Sequence, residues 1–152
     1  MEKENNKPLN LAKEALKEYR WKLKQRDELL REMDESYDRA ISCTVRLKPY
    51  KSSGGSASYD RMADDIVRLA DTRERLKAKI AELDAKLADI LNMIDTVNDE
   101  RGRLLLTMRY VRGMRWEDIQ NEMHYSEKHV KRIHGFALLD INKRYFPKDD
   151  PK

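Results

Sequence analysis

The stretch R-W-E-D-I-Q-N-E-M-H-Y-S-E-K-H-V-K-R-I-H-G-F-A-L, Arg115 to Leu138, decides how this chain is read. Ile119 and Met123 stand four apart, and Val130, Ile133 and Ala137 recur at steps of three and four, so two short helices can bury one face against each other. Ser126 lies between them, where its hydroxyl can cap the second helix by accepting from one of its unpaired N–H groups. With Val130, Ile133 and Ala137 inward, the 100° step per residue turns Lys128, Arg132 and Gly135 outward and leaves His129 and Lys131 on the flanks. A basic amphipathic helix alone is usually a solvated surface. Here cap, apolar spacing and outward charge agree, and together they predict a helix-turn-helix whose second helix enters the major groove of double-stranded DNA.

The block from Glu100 onward resembles the sigma-factor region that reads the upstream promoter hexamer. More closely, it is similar to phage-encoded regulators with a sigma-region-four-like C-terminus, the ArpU-type late regulators and their relatives. The shared pattern is L-x-x-R-Y-x-x-G, then W-E-E/D-I, then Y-S-x-x-H-V-x-R-x-H-G-x-A-L, found here at Leu106–Gly113, Trp116–Ile119 and Tyr125–Leu138. The resemblance implies base-facing positions at Glu127, Lys128, His129 and Arg132, with Lys131 near phosphate, in a regulator of phage or prophage late genes that also engages RNA polymerase. Arg112, Arg115 and Lys143 complete the candidate DNA-binding set. Three positions depart from the general motif: Gln120 where a small residue eases helix approach, His124 where glycine makes the turn, and Arg115 in place of a hydroxyl cap. Histidine tolerates a positive φ better than most side chains, so the turn is expected to form at His124.

Charge places the polyanion-binding surface in the same block. Arg101 to Phe146 holds ten Lys/Arg against five Asp/Glu, whereas the first hundred residues are nearly balanced at 20 against 21. The positive field therefore belongs to the C-terminal block.

The first hundred residues carry a different pattern. From Leu9 through Leu16, Leu23, Leu30 and Tyr37 to Leu47, and from Tyr59 through Ile66, Leu76, Leu83 and Ile90 to Val97, seam positions alternate steps of three and four, interrupted by Arg26 and Arg73. Between them, K-P-Y-K-S-S-G-G-S-A-S at Lys48–Ser58 stops one helix before the next begins. Folding back there pairs Leu47 with Tyr59, Ala40 with Ile66, Leu23 with Leu83 and Leu9 with Val97. The expected fold is all-α: a long antiparallel coiled-coil helical hairpin over 1–98 (arms about 9–47 and 59–97, loop 48–58), a helix-turn-helix block over 99–146 supported by a helix from Glu100 to Arg112, and a tail at 147–152. Trp21, Ile41, Leu91 and Met93 lie off the seam and could build a second face, which makes a homo-oligomer an open reading. Phe136 and Leu139 fall outside the two-helix core and are expected to pack on Leu105 or Met108, or else on a partner.

With 39% charged residues and a mean hydropathy of −0.91, the chain of 152 residues has little material for a thick globular core. The lone Cys43 makes no intramolecular disulfide, and no segment reads as a signal peptide or an apolar membrane span, so a cytoplasmic protein of a bacterial host is expected. Phosphate-cradling glycine loops, nucleophile elbows and Cys-x-x-Cys pairs are absent. His124, His129 and His134 stand five apart and share no helix face. The reading is a non-enzymatic protein without cofactor or metal. A small terminase subunit that binds packaging-site DNA, or a polymerase-binding coiled-coil adaptor, are the alternatives.

Overall fold

The computed structural model describes residues 9–45 and 56–147, with side-chain surroundings for 11–42 and 63–147. Among the described residues five α-helices follow one another: α1 Leu9–Val45, α2 Ser56–Asp95, α3 Glu100–Leu106, α4 Trp116–Met123 and α5 Glu127–Tyr145. α3 runs on into a π-helical turn, Thr107–Val111. Among the described residues there is no strand, so the chain is all-α. α2 starts at Ser56, three residues inside the predicted loop, because S-A-S after the paired glycines contains no helix breaker. The rest of that loop, the tail beyond Pro147 and the Leu47–Tyr59 and Leu9–Val97 pairings lie outside the residues described.

The chain divides into two compact units, and the division does not fall at the expected 98/99 boundary. One unit takes the chain up to Leu23 and from Ala85 onward; the other is Lys24–Asp84. The reason is a shared core. Ala12, Leu16 and Tyr19 of α1 and Leu87, Ile90, Ile94 and Val97 around the end of α2 cluster with Leu106, Tyr110, Ala137, Leu138 and Ile141. The ends of both arms thus belong to the same hydrophobic body as the C-terminal block.

Within Lys24–Asp84 the arms run antiparallel and the seam is thin. Leu76 is buried, but Leu30, Met33, Leu69, Ile80 and Leu83 are only half-buried, and Tyr37 and Ile66 are exposed. Two helices alone cannot enclose a seam that a third or fourth helix would cover. The seam arginines reach one turn past the positions they were expected to face. Arg26 Nε lies 2.8 Å from Asp84, although its N–H is not aimed at the carboxylate and makes no hydrogen bond. Arg73 lies over the Tyr37 ring, 5.6 Å from its centroid. Side chains on a helix lean toward its N-terminus, so in an antiparallel pair Arg26 leans toward higher α2 numbers and Arg73 toward higher α1 numbers. Both displacements have the expected sign.

The other unit is tied together more firmly. Asn142, buried in the last turns of α5, accepts from the Ala12 backbone N–H of α1 at 3.1 Å. Asp99 caps α3 by accepting from Arg101 N–H at 3.1 Å. Gly102 lets α3 lie close to α5: a Cβ there would sit 3.1 Å from both the Ala137 Cβ and a Val97 methyl. Met93, expected on an open face, packs against this core instead, while Trp21 and Leu91 stay exposed.

Burial depth makes the two units distinguishable by mutation. Leu16 is fully buried and Leu30 half-buried. Leu16→Ala should cost about 2–5 kcal/mol, and Leu30→Ala clearly less. Equal losses in chemical denaturation would contradict the graded seam. Gly102→Val, which forces a branched side chain between Val97 and Ala137, should cost about 1–3 kcal/mol by overpacking and lower the melting temperature.

Candidate nucleic-acid interface

The α4–turn–α5 unit is built from a small core of its own. Leu105 and Met108 from the supporting helix meet Ile119 of α4 and Val130 and Ile133 of α5, flanked by Met114, Trp116, Met123 and Tyr125. The turn is made as expected. His124 adopts the left-handed conformation (φ 54°), and the N–H groups of His124 and Tyr125 return to carbonyls of Asn121 and Gln120. Ser126 caps α5, its hydroxyl accepting from His129 N–H at 3.4 Å. Arg115 precedes α4 in extended backbone and gives no side-chain cap.

The supporting helix ends abruptly. In the π-helical turn Arg112 N–H reaches Thr107 O, and Met114 N–H reaches Met108 O, each at 3.0 Å. Gly113 closes the turn at φ 72°, a conformation that glycine adopts without strain. Arg109 locks the corner that follows. Its guanidinium donates to Met114 O at 2.7 Å and lies 4.8 Å from the Trp116 ring centroid.

Behind this corner His134 is packed between two aromatic rings. Its Nε2 is 3.0 Å from the Tyr110 hydroxyl, its ring stacks on Tyr110 at 5.9 Å, and Trp116 meets it edge-on at 5.1 Å. Burial, with the Lys13 and Arg109 charges adding to it, pushes the His134 pKa down to about 4. Burial likewise pushes the Tyr110 phenol up to about 12. Both groups are neutral at pH 7, so His134 is a packing and hydrogen-bonding residue and not one of the outward cations.

The candidate residues fall into three sets. Lys128 and Arg132 are exposed on the outer side of α5, as the inward burial of Val130, Ile133 and Ala137 requires. His129 is half-buried, tilted on Tyr125 at 4.5 Å, and its Nδ1 lies 3.0 Å from an Arg132 nitrogen, so His129 orients Arg132. Glu127 and Lys131 pair with each other across one turn. The hydrogen bond from Lys131, and then its charge, hold the Glu127 carboxyl below its ordinary pKa. Arg112, Arg115 and Lys143 are exposed and make no side-chain hydrogen bond or ion pair among the described residues. Gly135 faces open space: a Cβ there would meet nothing within 4 Å.

One expected contact is not made, and one set of cations was not foreseen. Phe136 does not pack on Leu105 or Met108; it is 62% exposed, because those two residues are occupied by α4 and the first half of α5. Leu139 is half-buried. The candidate set also missed the cations of α1 beside the α3–α4 corner, Lys13, Lys17 and Arg20. Their i, i+4, i+7 spacing put them on one helix face, but on a charge-balanced arm it read as solvated surface.

His134 and Gly135 yield opposite expectations. The folded pKa of His134 lies below its unfolded value of 6.5, so its contribution to stability is complete above about pH 6.5 and is lost as pH falls toward about 4. Melting temperatures of wild type and His134→Gln should therefore converge on acidification through that window; a constant difference would rule the effect out. Gly135→Ala should stabilise α5 by up to about 1 kcal/mol, since it removes a helix-interior glycine without a clash.

No curated protein and no solved structure matches the chain. A family model described as "Protein of unknown function (DUF1492)" matches residues 42–142, about two thirds of the chain, from the last turn of α1 into the final turns of α5. The match takes in all of α2, α3 and α4, and the chain belongs to the DUF1492 family.

Proposed function

We propose that the chain is a sequence-specific double-stranded DNA-binding protein that regulates transcription, with α5 as the reading helix and α3 as its support. The observation that carries this reading is the division of α5 into two halves. Its N-terminal turns bury Val130 and Ile133 against α4 while presenting Lys128 and Arg132 outward; its C-terminal turns bury Ala137, Leu138 and Ile141 in the other core. A helix anchored at its far end, with basic side chains at its near end, suits insertion into a major groove. The surplus of positive charge from Arg101 to Phe146 supports the same reading.

Roles follow from exposure and partners. Lys128 and Arg132 read bases, with His129 fixing the Arg132 guanidinium. Arg112, Arg115 and Lys143 hold phosphates. Lys131 is released to phosphate from its exposed i, i+4 pair with Glu127, which solvent screens. The sigma-like pattern supports a role as a phage or prophage late regulator acting in the bacterial cytoplasm, with RNA polymerase as a second partner. No helix among the described residues is long and apolar enough to cross a membrane.

Titration of alanine variants against a specific and a random duplex separates the roles. Arg132→Ala and Lys128→Ala should relax discrimination at particular base pairs by about 1–3 kcal/mol. Arg112→Ala and Lys143→Ala should weaken both duplexes alike and lower the salt slope by about one each. Equal losses on both duplexes from all four variants would refute the assignment.

A further inference from the structure

We propose that the cleft between α1 and the α3–α4 corner is a phosphate-binding site, occupied by phosphates of a DNA strand or of a free phosphorylated molecule. The cleft measures about 420 Å³, and its lining includes Lys13, Lys17 and Arg20 on one wall and Arg109 and Trp116 on the other. That volume falls within the range of ordinary ligand sites. The three α1 cations occupy an arc of roughly 60° on the helix and extend over about 10 Å along its axis.

The cations are available to a ligand. Lys13 and Arg20 make no ion pair or hydrogen bond among the described residues, and Lys17 is shared only with Glu14, at 3.0 Å on the helix surface. Arg20 is held at the corner: its guanidinium lies so close to Gly113 that a Cβ there would come within 2.5 Å of it. Any side chain at 113 would therefore displace one of the cleft's charges.

The aromatic residues argue for phosphate recognition rather than base recognition. Tyr110 is buried and stacked on His134, and the Trp116 ring has Arg109 on its face and His134 at its edge. Tyr110 is thereby closed to a nucleobase, and Arg109 already occupies one face of Trp116. What remains open is charge, and a duplex strand presents one phosphate about every 3.4 Å of axis to such a stripe. The field is already felt inside the protein, since the Lys13 and Arg109 charges add to burial in holding His134 neutral.

The duplex source rests on the DNA-binding reading above; the free-phosphate source does not. The test uses the full chain and the triple variant Lys13→Gln, Lys17→Gln, Arg20→Gln, with random-sequence duplex and inorganic pyrophosphate as probes. For a duplex source, the variant should bind random DNA roughly tenfold more weakly or worse, with a salt slope reduced by about two to three. For a free-phosphate source, calorimetry should detect pyrophosphate binding to wild type that the variant loses, with DNA affinity unchanged. A second measurement needs no variant: either probe, once bound in the cleft, should perturb the His134 ring resonances and raise that residue's pKa. Wild-type binding that survives in the variant for both probes, or His134 resonances indifferent to both, would overturn the site. Pyrophosphate binding without any DNA binding would keep the cleft and remove the DNA-binding reading instead.

Discussion

Leu105 and Leu106, neighbours in sequence and both fully buried, face two different cores, and the C-terminal block depends on this. Leu106 joins the ends of the two long helices; Leu105 joins α4 and the first half of α5. Adjacent helical residues point about 100° apart, so α3 cannot rotate by one residue without withdrawing a leucine from one core. Each buried leucine is worth about 1.5–3 kcal/mol, which is large against a typical domain stability of about 5–15 kcal/mol. The π-helical turn continues the arrangement, sending Met108 to one core and Tyr110 to the other.

The same constraint sorts charge from packing along α5. Residues that enter the cores are fixed by contact on both sides, which leaves Lys128 and Arg132 as the outward groups near the capped end. Exposed pairs such as Glu127–Lys131 contribute little to stability and are easily exchanged for phosphate. Buried polar groups behave differently. The Asn142–Ala12 hydrogen bond is made away from water, where an unmade bond costs about 1–3 kcal/mol, so it specifies which turn of α5 meets α1.

Much of this was legible in the residue pattern. The three-and-four spacing of Val130, Ile133 and Ala137 located the inward face of α5, and Ser126 and His124 marked its cap and turn, because cap chemistry and tolerance of positive φ are local properties. The heptads of the long arms were equally visible, but a heptad states which residues face inward and not how much covers them. Tyr37 and Ile66 occupy seam positions and are still exposed, whereas Leu16 and Ile94 are closed over by helices far away in sequence. The unit boundary and the cationic cleft were hidden for the same reason: both join residues near 15 to residues near 110. The π-helical turn has no sequence signature among T-M-R-Y-V; only the Gly113 stop was readable.

The DNA-reading role proposed for the C-terminal block turns on whether the outward face of α5 reads base pairs. Repeated selection of bound duplexes from a random pool by the full chain tests this most directly, because the operator sequence emerges from the selection itself. Enrichment of one short motif is expected, with the strongest positions lost when Arg132 is replaced by alanine. A pool that remains random after several rounds would contradict base reading, whether the protein binds without preference or does not bind at all.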